Sequence, residues 1–124
     1  MAAWTGDELD KIGKAVELRI ASLRRDDTLR KPVIIWVVRL GDDLYVRAVK
    51  GREGPWFRGT QTRHEGHIRA GGVDKDVTFA DADPDLNDAI DEAYRSKYGH
   101  YPPSTVKSVI TPQARAATIK LVPR

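Results

Sequence analysis

The chain contains no cysteine. That absence excludes disulfides, thiolate nucleophiles, iron–sulfur ligation and cysteine zinc sites, and it fits a reducing compartment. Long apolar runs are missing as well. The longest, Val33-Ile34-Ile35-Trp36-Val37-Val38, falls far short of the roughly 20 residues of a membrane span. The amino terminus has no basic segment leading into an apolar signal core. The expectation is a soluble, cytoplasmic protein that makes no use of a membrane. A strong charge of one sign is also lacking, since 21 Lys and Arg stand against 18 Asp and Glu for a net +3. The charges are unevenly spread: basic residues dominate between Arg39 and Arg69, and acidic ones between Asp81 and Glu92, which points to one face with a positive field.

What is present suits one domain. A chain of 124 residues buries roughly two thirds of the surface its unfolded form exposes, enough for a core without staples. No internal repeat or low-complexity tract divides it. Trp4-Thr5-Gly6-Asp7-Glu8-Leu9 is a helix start, with Thr5 and Glu8 spaced as a capping box and Trp4 placed to pack on Leu9. That helix is expected to end near Lys14. Leu18 to Ser22 alternates as a half-buried strand. Arg24-Arg25-Asp26-Asp27 is a polar turn whose charges cancel in pairs. The Val33–Val38 run, apolar on both faces, reads as a central strand. Gly41-Asp42-Asp43 turns it into a second strand, Leu44 to Lys50. Pro55 then opens a short helix, at the position where its missing N–H costs least. His67–Ala70 and Val77–Ala80 read as strands joined through Gly71-Gly72, with a joint that can extend to Asp76. Asp83-Pro84 starts the clearest helix, its inward stripe being Leu86, Ile90, Ala93 and Tyr94. Thr118 to Val122 is a last strand, ended by Pro123. These elements predict a mainly β (α+β) fold of six strands and three helices, an antiparallel sheet curling into a barrel with helices over its openings.

The basic stretch after the hairpin carries the functional reading. On a regular strand Tyr45, Arg47 and Val49 share one face while Val46, Ala48 and Lys50 share the other. With Arg52 and Arg58 following, two or three of Arg47, Lys50, Arg52 and Arg58 can converge on a dianion at the start of the helix. Arginine forks and exposed helix N–H groups would bind a phosphate there. Trp36, Tyr45 and Trp56 are candidate flat walls for an attached ring, with core packing as the alternative for Trp36. Two further classes stay open. Arg47, Lys50, Arg52, Arg58, Arg63 and Arg69, interleaved with Trp56 and Phe57, could track a nucleic-acid backbone, although no recognition motif accompanies them. A barrel serving as a cofactor-free binding module is the other. His64 and His67, three apart, lack a matched second cluster, so no metal site is assigned.

Val49-Lys50-Gly51 followed by Gly54-Pro55-Trp56-Phe57-Arg58 resembles the strand-to-helix junction of small flavin-binding split barrels, especially the deazaflavin-dependent nitroreductase-like group. The closing Ile119-Lys120-Leu121-Val122-Pro123 is similar to that group's last strand. Across nearly its whole length the chain resembles a small bacterial family of unassigned function associated with that superfamily, on Trp4 to Glu8, Leu44 to Ala48, Asp88 to Tyr98 and Ala114 to Thr118. The resemblance implies a six-stranded split barrel, oxidoreductase-like, binding FMN or a deazaflavin together with a small-molecule substrate. Carried over by position, the cofactor-binding residues are Arg47, Lys50, Trp56 and Arg58. It also implies a homodimer with the cofactor at the subunit boundary, which an exposed Trp56 would suit.

Overall fold

The computed structural model describes residues 3–124. Helix α1 (Gly6–Lys14) begins as its residues dictate: Thr5 Oγ1 accepts the Glu8 N–H and Glu8 Oε1 accepts the Thr5 N–H. Trp4 is buried and its indole N–H donates to the Leu121 carbonyl at 3.0 Å, tying the helix start to the last strand.

Seven strands form one sheet, all neighbours antiparallel: β1 (Leu18–Ser22), β2 (Val33–Ile35), β3 (Val38–Leu40), β4 (Asp43–Arg47), β5 (Glu65–Ala70), β6 (Val73–Asp81) and β7 (Thr118–Pro123), in the order β2-β1-β5-β6-β7-β4-β3. The β5–β6 turn is the two-residue kind that the glycines allow. Gly71 and Gly72 have φ of 57° and 84°, as a type I′ turn requires at both central positions. Among the described residues five α-helices accompany the sheet: α1, α2 (Pro55–Arg63), α3 (Asn87–Tyr98), α4 (Pro103–Lys107) and α5 (Pro112–Arg115). The fold is therefore the antiparallel split-barrel arrangement expected, with one more strand and two more short helices.

The extra strand comes from the Val33–Val38 run. It is not one central strand: β2 and β3 lie at opposite edges of the sheet. Between them the backbone of Val37 leaves the ladder. Its N–H donates to the Tyr98 hydroxyl at 3.3 Å, and its carbonyl accepts the Lys97 ammonium at 2.7 Å. The same hydroxyl donates to the Val16 carbonyl at 2.7 Å, and Trp36 stacks on the Tyr98 ring with centroids 3.9 Å apart. Side chains of α3 thus satisfy the backbone groups that a continuous strand would have paired.

The strand buried on both faces is β4. Leu44 and Val46 point into the main core with Leu18, Ile20, Ile68 and Phe79. Tyr45 faces a second core of Val38, Ile90, Tyr94, Tyr98 and Val109, built under α3 and the α4 region. A strand covered twice shows no polar alternation: beyond the half-buried Asp43 at its start every residue is buried, Arg47 included.

Candidate functional site

Past Arg47 the chain turns out of the sheet. The Ala48 N–H still pairs with the Ala117 carbonyl, and then Gly51 enters the left-handed region at φ 73° before a single 3-10 turn, Gly51–Glu53. Gln113 crosses over this turn, its side-chain amide donating to the Lys50 carbonyl at 2.5 Å. A Cβ on Gly51 would lie 2.4 Å from Gln113 Cγ, so glycine is required for both space and φ. Pro55 is the first residue of α2, which has no side-chain cap.

This turn forms one wall of a groove of about 600 Å³. Val33, Ile35 and Trp36 of the β2 edge supply a second wall, and Thr105 with Val109, from α4 and the turn after it, closes the far side. Lys50 and Trp56 line it, Lys50 exposed and Trp56 half-buried. Lys50 forms no ion pair among the described residues, so its ammonium is free to meet an anion. Chemically, the groove offers aliphatic and indole surface to a flat ring and, at its edge, the Lys50 cation.

The remaining expected site residues fall elsewhere. Arg47 borders the groove floor, yet its guanidinium faces the protein. Nε donates to Thr118 Oγ1 at 2.9 Å, Nη1 to the Val109 carbonyl at 2.9 Å and to Asp91 Oδ1, and Nη2 to the carbonyl and side-chain oxygens of Asn87 at 3.2 Å each. An arginine has five N–H donors, and all have protein acceptors, which leaves none for a phosphate. Arg58 is exposed on α2 and does not line the groove. Arg52 donates to the Ala116 carbonyl at 2.9 Å and lies over the Phe57 ring. Tyr45 is buried against the second core, away from the groove, and its phenol is raised by burial, then by Asp43 and Asp83.

Asp91 holds Arg47 on one carboxylate oxygen and Arg115 on the other. Burial pushes this carboxyl up, but hydrogen bonds from Arg115 and then Arg47, with their charges, outweigh it, and Asp91 is held below the ordinary carboxylate range. Its place on the inward stripe of α3 with Ile90, Tyr94 and Tyr98 was the signal for a buried cation partner. Arg47 is thereby a strut: it joins β4 to α3 and to the carbonyl of Val109 in the groove wall.

The six basic residues between 47 and 69 do not form a free stripe, because Arg47 is buried and Arg63 pairs with Asp27 and Glu65. His64 ends α2 at φ 57°, while the His67 ring bonds to Asp74 and Asp76. No group of three or more potential metal-binding side chains occurs among the described residues. No helix among them is long and apolar enough to cross a membrane.

A single curled antiparallel sheet with helices over its openings, and a groove where the fourth strand runs into a helix, defines a split barrel. Three solved structures share the fold at low identity. A candidate pyridoxamine 5′-phosphate oxidase of Listeria innocua has a TM-score of 0.66 at 14% identity, the match covering 94% of this chain and 90% of that one. A protein described as an F420 reductase has a TM-score of 0.58 at 15% identity, with 94% and 90% covered. An FAD and heme binding protein of Mycobacterium smegmatis has a TM-score of 0.52 at 16% identity, with 95% and 65% covered. No curated protein sequence matches the chain. The chain belongs to the bacterial family DUF2255, described as an uncharacterized protein conserved in bacteria, which it matches over residues 8–121.

Proposed function

We propose that this protein binds a flavin or deazaflavin in the groove between β2, α4 and the β4–α2 junction, and acts as an oxidoreductase on a small molecule. The observation that carries this reading is the groove itself: about 600 Å³, walled by Trp36, Trp56 and aliphatic side chains, with the unpaired Lys50 ammonium at its edge. Pockets of roughly 300–1,000 Å³ with mostly apolar walls and few polar groups suit ligands of this size. Proteins described as an F420 reductase and as binding FAD share the fold.

When bound, such a cofactor supplies hydride chemistry at its ring, so the chain needs no nucleophile. Trp56 stacks on or flanks the ring. Lys50 and the N–H groups of the uncapped first turn of α2 meet the anionic tail. Arg47 acts through the Val109 wall and not by contact, and Arg58, outside the groove, adds only to the local positive field. Ile34 and Val49 line the groove and are 54% and 48% exposed. They form the apolar surface on which a second copy would cover its mouth.

The test is a fluorescence titration of the purified protein with FMN and with a deazaflavin, followed by native mass measurement of the loaded particle. Saturable binding is expected, weakened at least tenfold by Trp56→Ala and severalfold by Lys50→Met, with a particle of twice 13.9 kDa. No saturable binding of either cofactor would overturn the assignment, and a particle of single-chain mass would overturn the dimer.

A further inference from the structure

A second recess, of about 260 Å³, opens between β1 and α2 and shares Val33, Pro55 and Trp56 with the groove. Its polar wall is Ser22, Arg24, Arg30, Lys31 and Thr60, three cations with no carboxylate among the lining residues. None of the three cations forms an ion pair among the described residues. Arg24 Nη1 donates to Thr28 Oγ1 and to the Leu29 carbonyl, leaving its other donors unassigned.

Arg30 is the centre of this cluster. Its backbone N–H donates to the Ser22 carbonyl at 2.9 Å, which fixes the residue beside β1. Its side chain packs over Gly59 of α2, where a Cβ would meet Arg30 Cδ and Nε at 3.1 Å and Ser22 Oγ at 2.7 Å. The Arg30 Nε–H is shielded from water and has no acceptor among the described residues. No side-chain hydrogen bond or ion pair among the described residues holds the Arg30 Nη groups, so these, and not the enclosed Nε–H, are the donors an incoming oxyanion can reach, and charge-assisted bonds to arginine are among the strongest a protein makes. Removing all carboxylates from a site with three cations makes it selective for negative charge.

We propose that this recess is an oxyanion site that takes the phosphate group of a small molecule, with Arg30 as its principal donor, Arg24 and Lys31 as flanking cations, and Ser22 Oγ as a neutral partner. Phosphate fits better than carboxylate: its double charge and its several acceptor oxygens match three cations and a hydroxyl approaching from different elements. The shared wall at Trp56 allows two sources. The phosphate can be the tail of a ring compound lying in the main groove, or it can belong to a separate phosphorylated molecule bound beside it. The site does not depend on the cofactor assignment above, because inorganic phosphate alone is enough to probe it.

The experiment is a titration of the full chain with inorganic phosphate at constant ionic strength, read by tryptophan fluorescence and by the side-chain N–H resonances of arginine. Saturable binding is expected, with sulfate competing and chloride not, a loss of at least tenfold in Arg30→Met, a severalfold loss in Ser22→Ala and no change in Lys50→Met. Where Arg30→Met fails to fold, the exposed Lys31→Met reads the same charge and is expected to weaken binding severalfold. Competition between phosphate and FMN, but not riboflavin, would place the ring compound's own phosphate in the recess and transfer to Arg30 the tail-binding role given to Lys50 above. Simultaneous binding of phosphate and FMN would assign it to a second molecule. Absence of saturable phosphate binding, or equal affinity in wild type and a folded Arg30→Met or Lys31→Met, overturns the proposal.

Discussion

Replacing Asp91 by alanine should be among the most damaging single changes in this protein. The Arg47 and Asp91 side chains are 0% and 1% exposed, so the substitution strands a guanidinium where water cannot reach it. Loss of one partner from a buried ion pair costs about 3–5 kcal/mol. Arg115 adds nothing to that figure, since its side chain is 36% exposed and can turn toward Asp88 and solvent. Against a typical domain stability of about 5–15 kcal/mol, the loss is a large fraction of the whole. With a urea m-value of about 2 kcal/mol per molar, the midpoint should fall by roughly 2 M. Urea unfolding followed by tryptophan fluorescence measures it. The acid limb supplies a second readout. Because the folded Asp91 carboxyl sits below its unfolded value, its contribution is present above about pH 3.9 and is lost as pH falls through the folded value. The gap between wild type and Asp91→Ala should therefore narrow in strong acid. A loss under about 1 kcal/mol, or a gap independent of pH, would refute the strut and return Arg47 to the pool of groups free to bind a ligand.

Two other outcomes follow from local geometry. Gly51→Ala should destabilise by about 1–3 kcal/mol, measured by the same unfolding assay, because φ 73° and the Gln113 side chain 2.4 Å from the new Cβ both oppose it; it should also weaken cofactor binding by shifting Lys50. The His67 pKa is raised: burial lowers it, but hydrogen bonds and charges of Asp76 and Asp74 prevail. Its stabilising contribution is complete below the unfolded value of about 6.5 and is lost as pH rises through the folded value, so urea midpoints should drop between slightly acid and alkaline pH in wild type and change less in His67→Asn.

The parts of the fold set by neighbours in sequence were legible. The capping box at Thr5 and Glu8, the proline at the start of α2 and the paired glycines between β5 and β6 act within a few residues of themselves, and each stands where its chemistry requires. The Val33–Val38 run was not legible. Six apolar residues in a row satisfy the rule for a central strand, yet the groups that divide the run are Lys97 and Tyr98, about sixty positions away. A polar side chain that takes over one backbone amide leaves no local trace at the amide. Conversely, β4 was expected only as the second arm of a hairpin, and its burial on both faces depends on α3, which lies about forty positions further on.

The same distinction governs the site. The placement of Lys50 and Trp56 beside the groove was readable because they flank glycines and a proline that turn the chain out of the sheet. Arg47 was misjudged by distance rather than by chemistry: an arginine at a strand end binds the nearest adequate anion, and the nearest one is a carboxylate from α3, brought there by tertiary packing. The carboxylate itself was the clue, since an aspartate on a helix stripe otherwise made of isoleucine and tyrosine must be paired to be buried at all. Pairing it with Arg47 rather than Lys50 has a functional consequence. The guanidinium fixes the Val109 carbonyl in the groove wall, and in the function proposed above such a held wall would let a ligand bind at Lys50 and Trp56 without first ordering the surface around it, which is where much of the cost of binding ordinarily lies.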